Sequence, residues 1–157
     1  MNPYAEQLGN RNALEVIAET PGQLAEMVGR LGPEGMGRSL APGKWTAREI
    51  LCHLADAEMV FAFRIRQTVA EPHYVVQPYD QDAWAEAYSA YDAKEALAVF
   101  SAVRQWNVAL MRRLPQELLS KPLTHPERGT MTLDVLLQTI AGHDLNHIRQ
   151  FEQLASK

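Results

Sequence analysis

The chain has a single cysteine, Cys52, so no internal disulfide can form. One thiol also excludes the cysteine-rich zinc frameworks and leaves nitrogen and oxygen ligands for any metal site. No uninterrupted apolar run approaches the ~18 residues that a bilayer-spanning helix needs. The opening Met1-Asn2-Pro3-Tyr4-Ala5-Glu6 has neither the basic nor the apolar stretch of a signal peptide. A cytoplasmic location without a membrane partner is the expectation. Excess charge of one sign is scarce as well: 15 basic side chains stand against 19 acidic ones, for a net charge of −4. There is no basic run and no interleaved basic–aromatic patch, so no nucleic-acid partner is expected. Strand signals are few. Val75-Val76 is the one β-branched pair set between turn residues, and it is too short to matter.

Helical patterning fills the chain instead. At 157 residues, one domain spanning 1–157 with a full hydrophobic core is expected. Thr20-Pro21 reads as an N-cap followed by proline in the first helical position, with Leu24, Met27, Val28 and Leu31 on the stripe behind it. Leu8 to Ala18 adds a turn or two upstream, continuous with that helix or kinked at the proline. Glycines and prolines make 32–45 a connection. Thr46-Ala47-Arg48-Glu49 has the capping-box form and opens a helix carrying Ile50, Leu51, Leu54, Ala57, Phe61 and Ile65, ending near Val69. Residues 71–91 form a long connection with a short helix within Asp80 to Tyr88. Asp92-Ala93-Lys94-Glu95 opens a third helix with Leu97, Phe100, Val103, Trp106, Leu110 and Leu114. Pro115, Pro122 and Pro126 mark a second long connection, and Thr130 or Thr132 caps a fourth helix. Four amphipathic helices imply an all-α bundle, and the long connections leave room for consecutive helices that run parallel.

The most informative residues are His143 and His147. Residues four apart on a helix project from the same face, and Leu136, Ile140, His143, His147, Phe151 and Leu154 follow one another at spacings of three or four. The imidazoles therefore point inward, where an unpaired polar group is costly. Five histidines would give such a pair by chance roughly 0.15 times, so the pair alone is a modest signal. The zinc-protease motif does not fit: Asp144 stands where that motif needs glutamate, and no histidine follows. The best third imidazole is His53, bordering the apolar stripe of the second helix. Three nitrogens and one open position would suit a catalytic rather than a structural ion. The plainer alternative is three satisfied core histidines. His73 and His125, beside prolines, read as exposed loop residues.

Two segments carry a resemblance. Lys44-Trp45-Thr46-Ala47-Arg48-Glu49-Ile50-Leu51-Cys52-His53-Leu54-Ala55-Asp56-Ala57-Glu58 and, much later, Ala141-Gly142-His143-Asp144-Leu145-Asn146-His147-Ile148-Arg149-Gln150 resemble the DinB superfamily, which includes YfiT-like metal-dependent hydrolases and low-molecular-weight-thiol-dependent transferases. The resemblance covers nearly the whole chain. It implies a four-helix bundle of up-down-down-up topology with long crossover connections. It implies a metal triad of His53, His143 and His147 holding a divalent ion, with zinc or nickel foremost, and a homodimer. The activity it implies is that of a metal-dependent enzyme of small-molecule metabolism, a thiol-dependent S-transferase or a hydrolase. In either version the metal lowers the pKa of the attacking group, a thiol or water. The alternative is a non-enzymatic metal- or ligand-binding module.

Other residues are secondary candidates. Asp56, Glu58 and Asp144 stand near the histidines in sequence, and a solvated helix face is the expectation for at least two of them. Arg64 reads as a surface ion pair, with an anionic substrate group as the rival. Tyr79, Asp80 and Trp84 could wall a pocket. Trp45 and Trp106 read as core.

Overall fold

The computed structural model describes residues 2–156. Six helices carry the chain: α1 (Ala5–Leu8), α2 (Ala13–Met36), α3 (Ala47–Ala70), α4 (Gln81–Ala85), α5 (Ala93–Met111) and α6 (Leu133–Ala155). Three short strands, β1 (Tyr74–Val75), β2 (Pro122–His125) and β3 (Gly129–Thr132), form one small sheet.

Capping chemistry sets most helix starts. Thr46 with Glu49, and Asp92 with Glu95, form complete capping boxes at α3 and α5. Asp80 caps α4, and the Thr132 hydroxyl accepts from the Val135 amide at α6. Each such cap stabilises its helix by about 1 kcal/mol. The start of α2 differs from the expectation. Its cap is Asn12, which accepts from the Glu15 amide, and the helix runs on through Thr20 and Pro21. Proline lacks the N–H that would reach the carbonyl four residues back. That orphaned acceptor, Ile17 O, takes a 3.0 Å hydrogen bond from Arg104 Nη1 instead. The helix survives its proline because another helix supplies the missing donor. It breaks only at Gly32, whose φ of 62° lies in the left-handed region, with Pro33 next.

Two apolar clusters define the topology. One joins the second half of α2 (Leu24, Leu31), the first half of α3 (Leu51, Leu54), the first half of α5 (Phe100) and the last turns of α6 (Phe151, Leu154). The other joins Ile17 of α2, Ile65 of α3, Met111 of α5 and Leu133 and Ile140 of α6. Taking α2 as up, α3 and α5 therefore run down and α6 runs up. This is the up-down-down-up arrangement, with 71–92 as the crossover between the parallel α3 and α5.

The sheet is a departure from the sequence reading. β2 and β3 form an antiparallel hairpin, Leu123 opposite Met131 and Thr124 opposite Thr130, and β1 adds to β2 in parallel. Gly129, at φ 76°, closes the hairpin in a conformation that strains other residues. The strands are only two to four residues long, β2 opening on Pro122 and followed by Pro126, too short for alternation to register.

α5 also departs. Its buried face is Ala96, Phe100, Arg104, Asn107, Val108 and Met111, a rotation from the expected stripe. Trp106 is 70% exposed rather than core. Phe100 is buried as expected, and Leu97, Leu110 and Leu114 pack partly buried against the core; the centre of the inward face is polar, so the buried face is turned away from Trp106.

Candidate metal centre

Between the two apolar clusters lies a polar layer, and the three histidines meet in it. His53 comes from α3, and His143 and His147 from α6, ninety residues later. All three are buried. His53 Nε2 lies 3.1 Å from His143 Nε2, and His147 Nε2 lies 3.2 Å from the same atom. One nitrogen from each ring falls within 4.8 Å of the others. Ligands about 2.0–2.1 Å from one tetrahedral ion stand roughly 3.3 Å apart, so the two short spacings match the edges of such a site. A proton on each Nε2 would bring three donors together with no acceptor. The donor set and spacing therefore fit a divalent ion.

The rings are held differently. His147 Nδ1 lies 2.7 Å from Gln150 Oε1, one turn on; since the amide oxygen only accepts, the ring proton sits on Nδ1 and Nε2 is left as a ligand atom. His53 is placed by Trp45, whose ring is 5.0 Å away. His143 is flanked edge-on by Tyr4 at 5.4 Å and Phe61 at 5.8 Å. Tyr4 reaches it because residue 142 is glycine: a Cβ there would stand 2.5 Å from the Tyr4 carbonyl oxygen. Nδ1 of both His53 and His143 is buried without a partner. Burial pushes all three imidazoles below the ordinary histidine value, His53 to about 3, and so favours the neutral form that coordinates metal.

Beneath the triad lies a buried ion network that the sequence did not announce. Arg104 reaches both oxygens of Asp144, and its Nη2 donates to Glu58 Oε2 at 2.7 Å. Asn107 Nδ2 donates to Glu58 Oε1 at 2.6 Å, and Arg66 donates to Asn107 Oδ1 at 2.6 Å. The Thr20 hydroxyl lies 2.8 Å from Val16 O and 3.0 Å from Asp144 Oδ2 and can give its proton to either. Burial works against the Arg104 charge, but the two carboxylates overcome it and raise its pKa. The expected solvated face is thus wrong for Glu58 and Asp144, which are 2% and 1% exposed. Neither accepts a hydrogen bond from a histidine; they lock α3, α5 and α6 together instead. Asp56 is half-buried, its carboxyl pushed up by burial.

A cavity of about 280 Å³ opens onto His53 and His143. Its α3 wall follows one helix face through Ala57, Phe61 and Arg64, and Tyr79 from the crossover helps close it. Arg64 is buried, not a surface ion pair. His125, at the end of β2, also lines the cavity and is 7% exposed, contrary to the loop reading; His73 is exposed as expected and lies 2.8 Å from the Thr124 hydroxyl. Asp80 caps α4, while Trp84 is 42% exposed and packs at a tilt against Tyr79, with ring centroids 4.7 Å apart. The hairpin brings Glu127 and Arg128 to the rim. Their only sequence signal was proximity to His125.

A sequence model of the DinB superfamily matches residues 17–151. The chain belongs to the DinB superfamily. Among DinB relatives, it is 28% identical over 142 residues to "Putative metal-dependent hydrolase OB0782" of Oceanobacillus iheyensis, covering 90% of this chain and 83% of that one. It is 26% identical over 147 residues to "Putative metal-dependent hydrolase YfiT" of Bacillus subtilis, covering 92% and 83%. The solved YfiT structure, described as "a probable metal-dependent hydrolase with an unusual four-helix bundle topology", superposes with a TM-score of 0.85 at 26% identity over 92% of this chain and 84% of that one. No helix among the described residues is long and apolar enough to cross a membrane.

Proposed function

We propose that this DinB protein is a metal-dependent enzyme acting on a small molecule, with His53, His143 and His147 as the protein ligands of a divalent ion, zinc or nickel. The observation that carries the reading is the convergence of three Nε2 atoms beside a cavity that opens onto two of the rings, His53 and His143. A bound ion supplies Lewis acidity and lowers the pKa of water or a thiol. The chain's own residues do the rest. Gln150 fixes the His147 tautomer, Trp45 and Phe61 keep the site dry on two sides, and the cavity admits the reactant. Hydrolysis is favoured by the names of the relatives. Transfer to a low-molecular-weight thiol is the other reaction that this ligand set serves. We take the protein to work in the cytoplasm as a homodimer; α3 and α5 expose Met59, Phe63, Val99 and Trp106 on their outer sides, apolar surface suited to self-association.

Elemental analysis of protein purified without a histidine tag tests the centre. Near one equivalent of metal is expected in the wild type and less than a tenth in His147→Ala, with helicity largely kept by circular dichroism. Full metal content in the variant would remove His147 from the site. Turnover assays pairing ester and amide substrates with and without a thiol panel then separate hydrolysis from transfer. A loaded protein that binds ligands but turns over none would be a binding module.

A further inference from the structure

Arg64 is the cavity's most unusual residue outside the triad. It is 6% exposed, yet its guanidinium is nearly unused. Nε has no acceptor. One terminal nitrogen makes a single long bond, 3.4 Å, to the Gln77 carbonyl. Among the described residues no carboxylate lies within 4.0 Å of it. The Tyr79 ring, 5.9 Å from the guanidinium carbon, is its other contact. A buried arginine normally meets a carboxylate, as Arg104 does a few turns away in the same bundle. Holding a largely buried guanidinium with one weak bond and an unpartnered Nε makes sense when the missing partner arrives with the ligand.

The surroundings agree. His125 and Arg128 from the hairpin line the same cavity. Burial, then the charges of Arg128 and Arg64, lower the His125 pKa, so the positive field of both arginines reaches it. Among the described residues, Glu127 is the one carboxylate on the wall.

We propose that the Arg64 end of the cavity binds an oxyanion, a carboxylate or phosphate, carried by the substrate at the end remote from its reacting atom. This rests on the metal-enzyme reading only for which end reacts. His53, Ala57, Phe61 and Arg64 lie along one face of α3, and eleven residues of helix separate the first from the last, roughly 16 Å of rise. Side chains on a helix lean toward its N-terminus alike, His53 as well as Arg64, so the lean leaves the span close to that rise, on the order of 15 Å. The substrate is therefore an extended anion, and the cavity measures its length.

The test reads binding directly in metal-free protein, so that it does not depend on the metal centre. Inorganic phosphate and acetate are titrated separately against 15N-labelled protein, following the arginine Nε–H signals. Saturable perturbation of the Arg64 Nε–H signal is expected in the wild type with at least one anion. Followed on the backbone amides of the cavity-lining Phe61 and His125, which every variant keeps, the affinity is expected to fall at least ten-fold in Arg64→Gln and to be partly restored in Arg64→Lys. Which anion wins tells phosphate from carboxylate. No saturable shift with either anion, or equal affinity in Arg64→Gln, would overturn the proposal. So would loss of metal from the loaded Arg64→Gln protein, because Arg64 would then be a support of the triad. Absence of metal in the wild type would sink the proposed function while leaving this titration intact.

Discussion

Each imidazole of the triad is presented by a different neighbour, and the differences are testable one residue at a time. Only His147 has a side-chain partner for its second nitrogen, Gln150 at 2.7 Å. Removing such a partner typically weakens metal binding 10–100-fold. Gln150→Leu should lower affinity within that range in a chelator competition, with little change in fold; unchanged affinity would mean that packing alone orients the ring. His143 and His147 were readable in sequence because i,i+4 spacing on an apolar stripe fixes direction; His53, on another helix, was legible only as a histidine bordering an apolar stripe. Gln150, one turn beyond His147, carries the same helical-spacing signal. Arg64 was not legible, because a sequence cannot say whether a long basic side chain reaches water or folds back into a cavity.

Among the helices, α5 shows most clearly where patterning stops being informative. Its expected apolar stripe and its buried face share Phe100 but diverge beyond it, since Arg104 and Asn107 take inward positions that usually hold leucine. That exchange is possible only because Glu58, Asp144 and the Ile17 carbonyl freed by Pro21 all await the guanidinium. None of these partners is local, so no window of sequence contains the reason. The capped helices α3, α5 and α6 were legible for the opposite reason: a capping residue and its partner sit three apart. Breaking the network by Arg104→Leu should leave two buried carboxylates uncompensated and destabilise by about 3–5 kcal/mol, read as a lower urea midpoint. In Arg104→Leu combined with Glu58→Gln and Asp144→Asn, most of that loss should return. A single variant as stable as wild type would contradict the assigned role.

For the whole molecule, the polar layer predicts an acid-sensitive metal-free state. Burial lowers the folded-state pKa of His53, His143, His147 and His125 below the ordinary value near 6.5. Below 6.5 the unfolded chain then binds more protons than the folded one, so stability is full above that pH and falls as the pH drops toward the folded values. The slope approaches about 1.4 kcal/mol per pH unit for each histidine. Urea midpoints of metal-stripped protein should fall steadily from pH 6.5 to 5, before most carboxylates titrate, and His53→Asn should reduce the slope. A flat profile would mean that the rings are more solvated than their exposure indicates. The same layer has a bearing on synthesis. One proposed ligand lies in α3 and two lie in α6, and Tyr4 rests on Gly142. A nascent chain that has not yet made α6 offers one of the three clustered imidazoles, His53, and no seat for Tyr4. On the proposed metal reading, capture therefore waits for α6, and a loaded centre certifies that this helix has been made and has packed against α3.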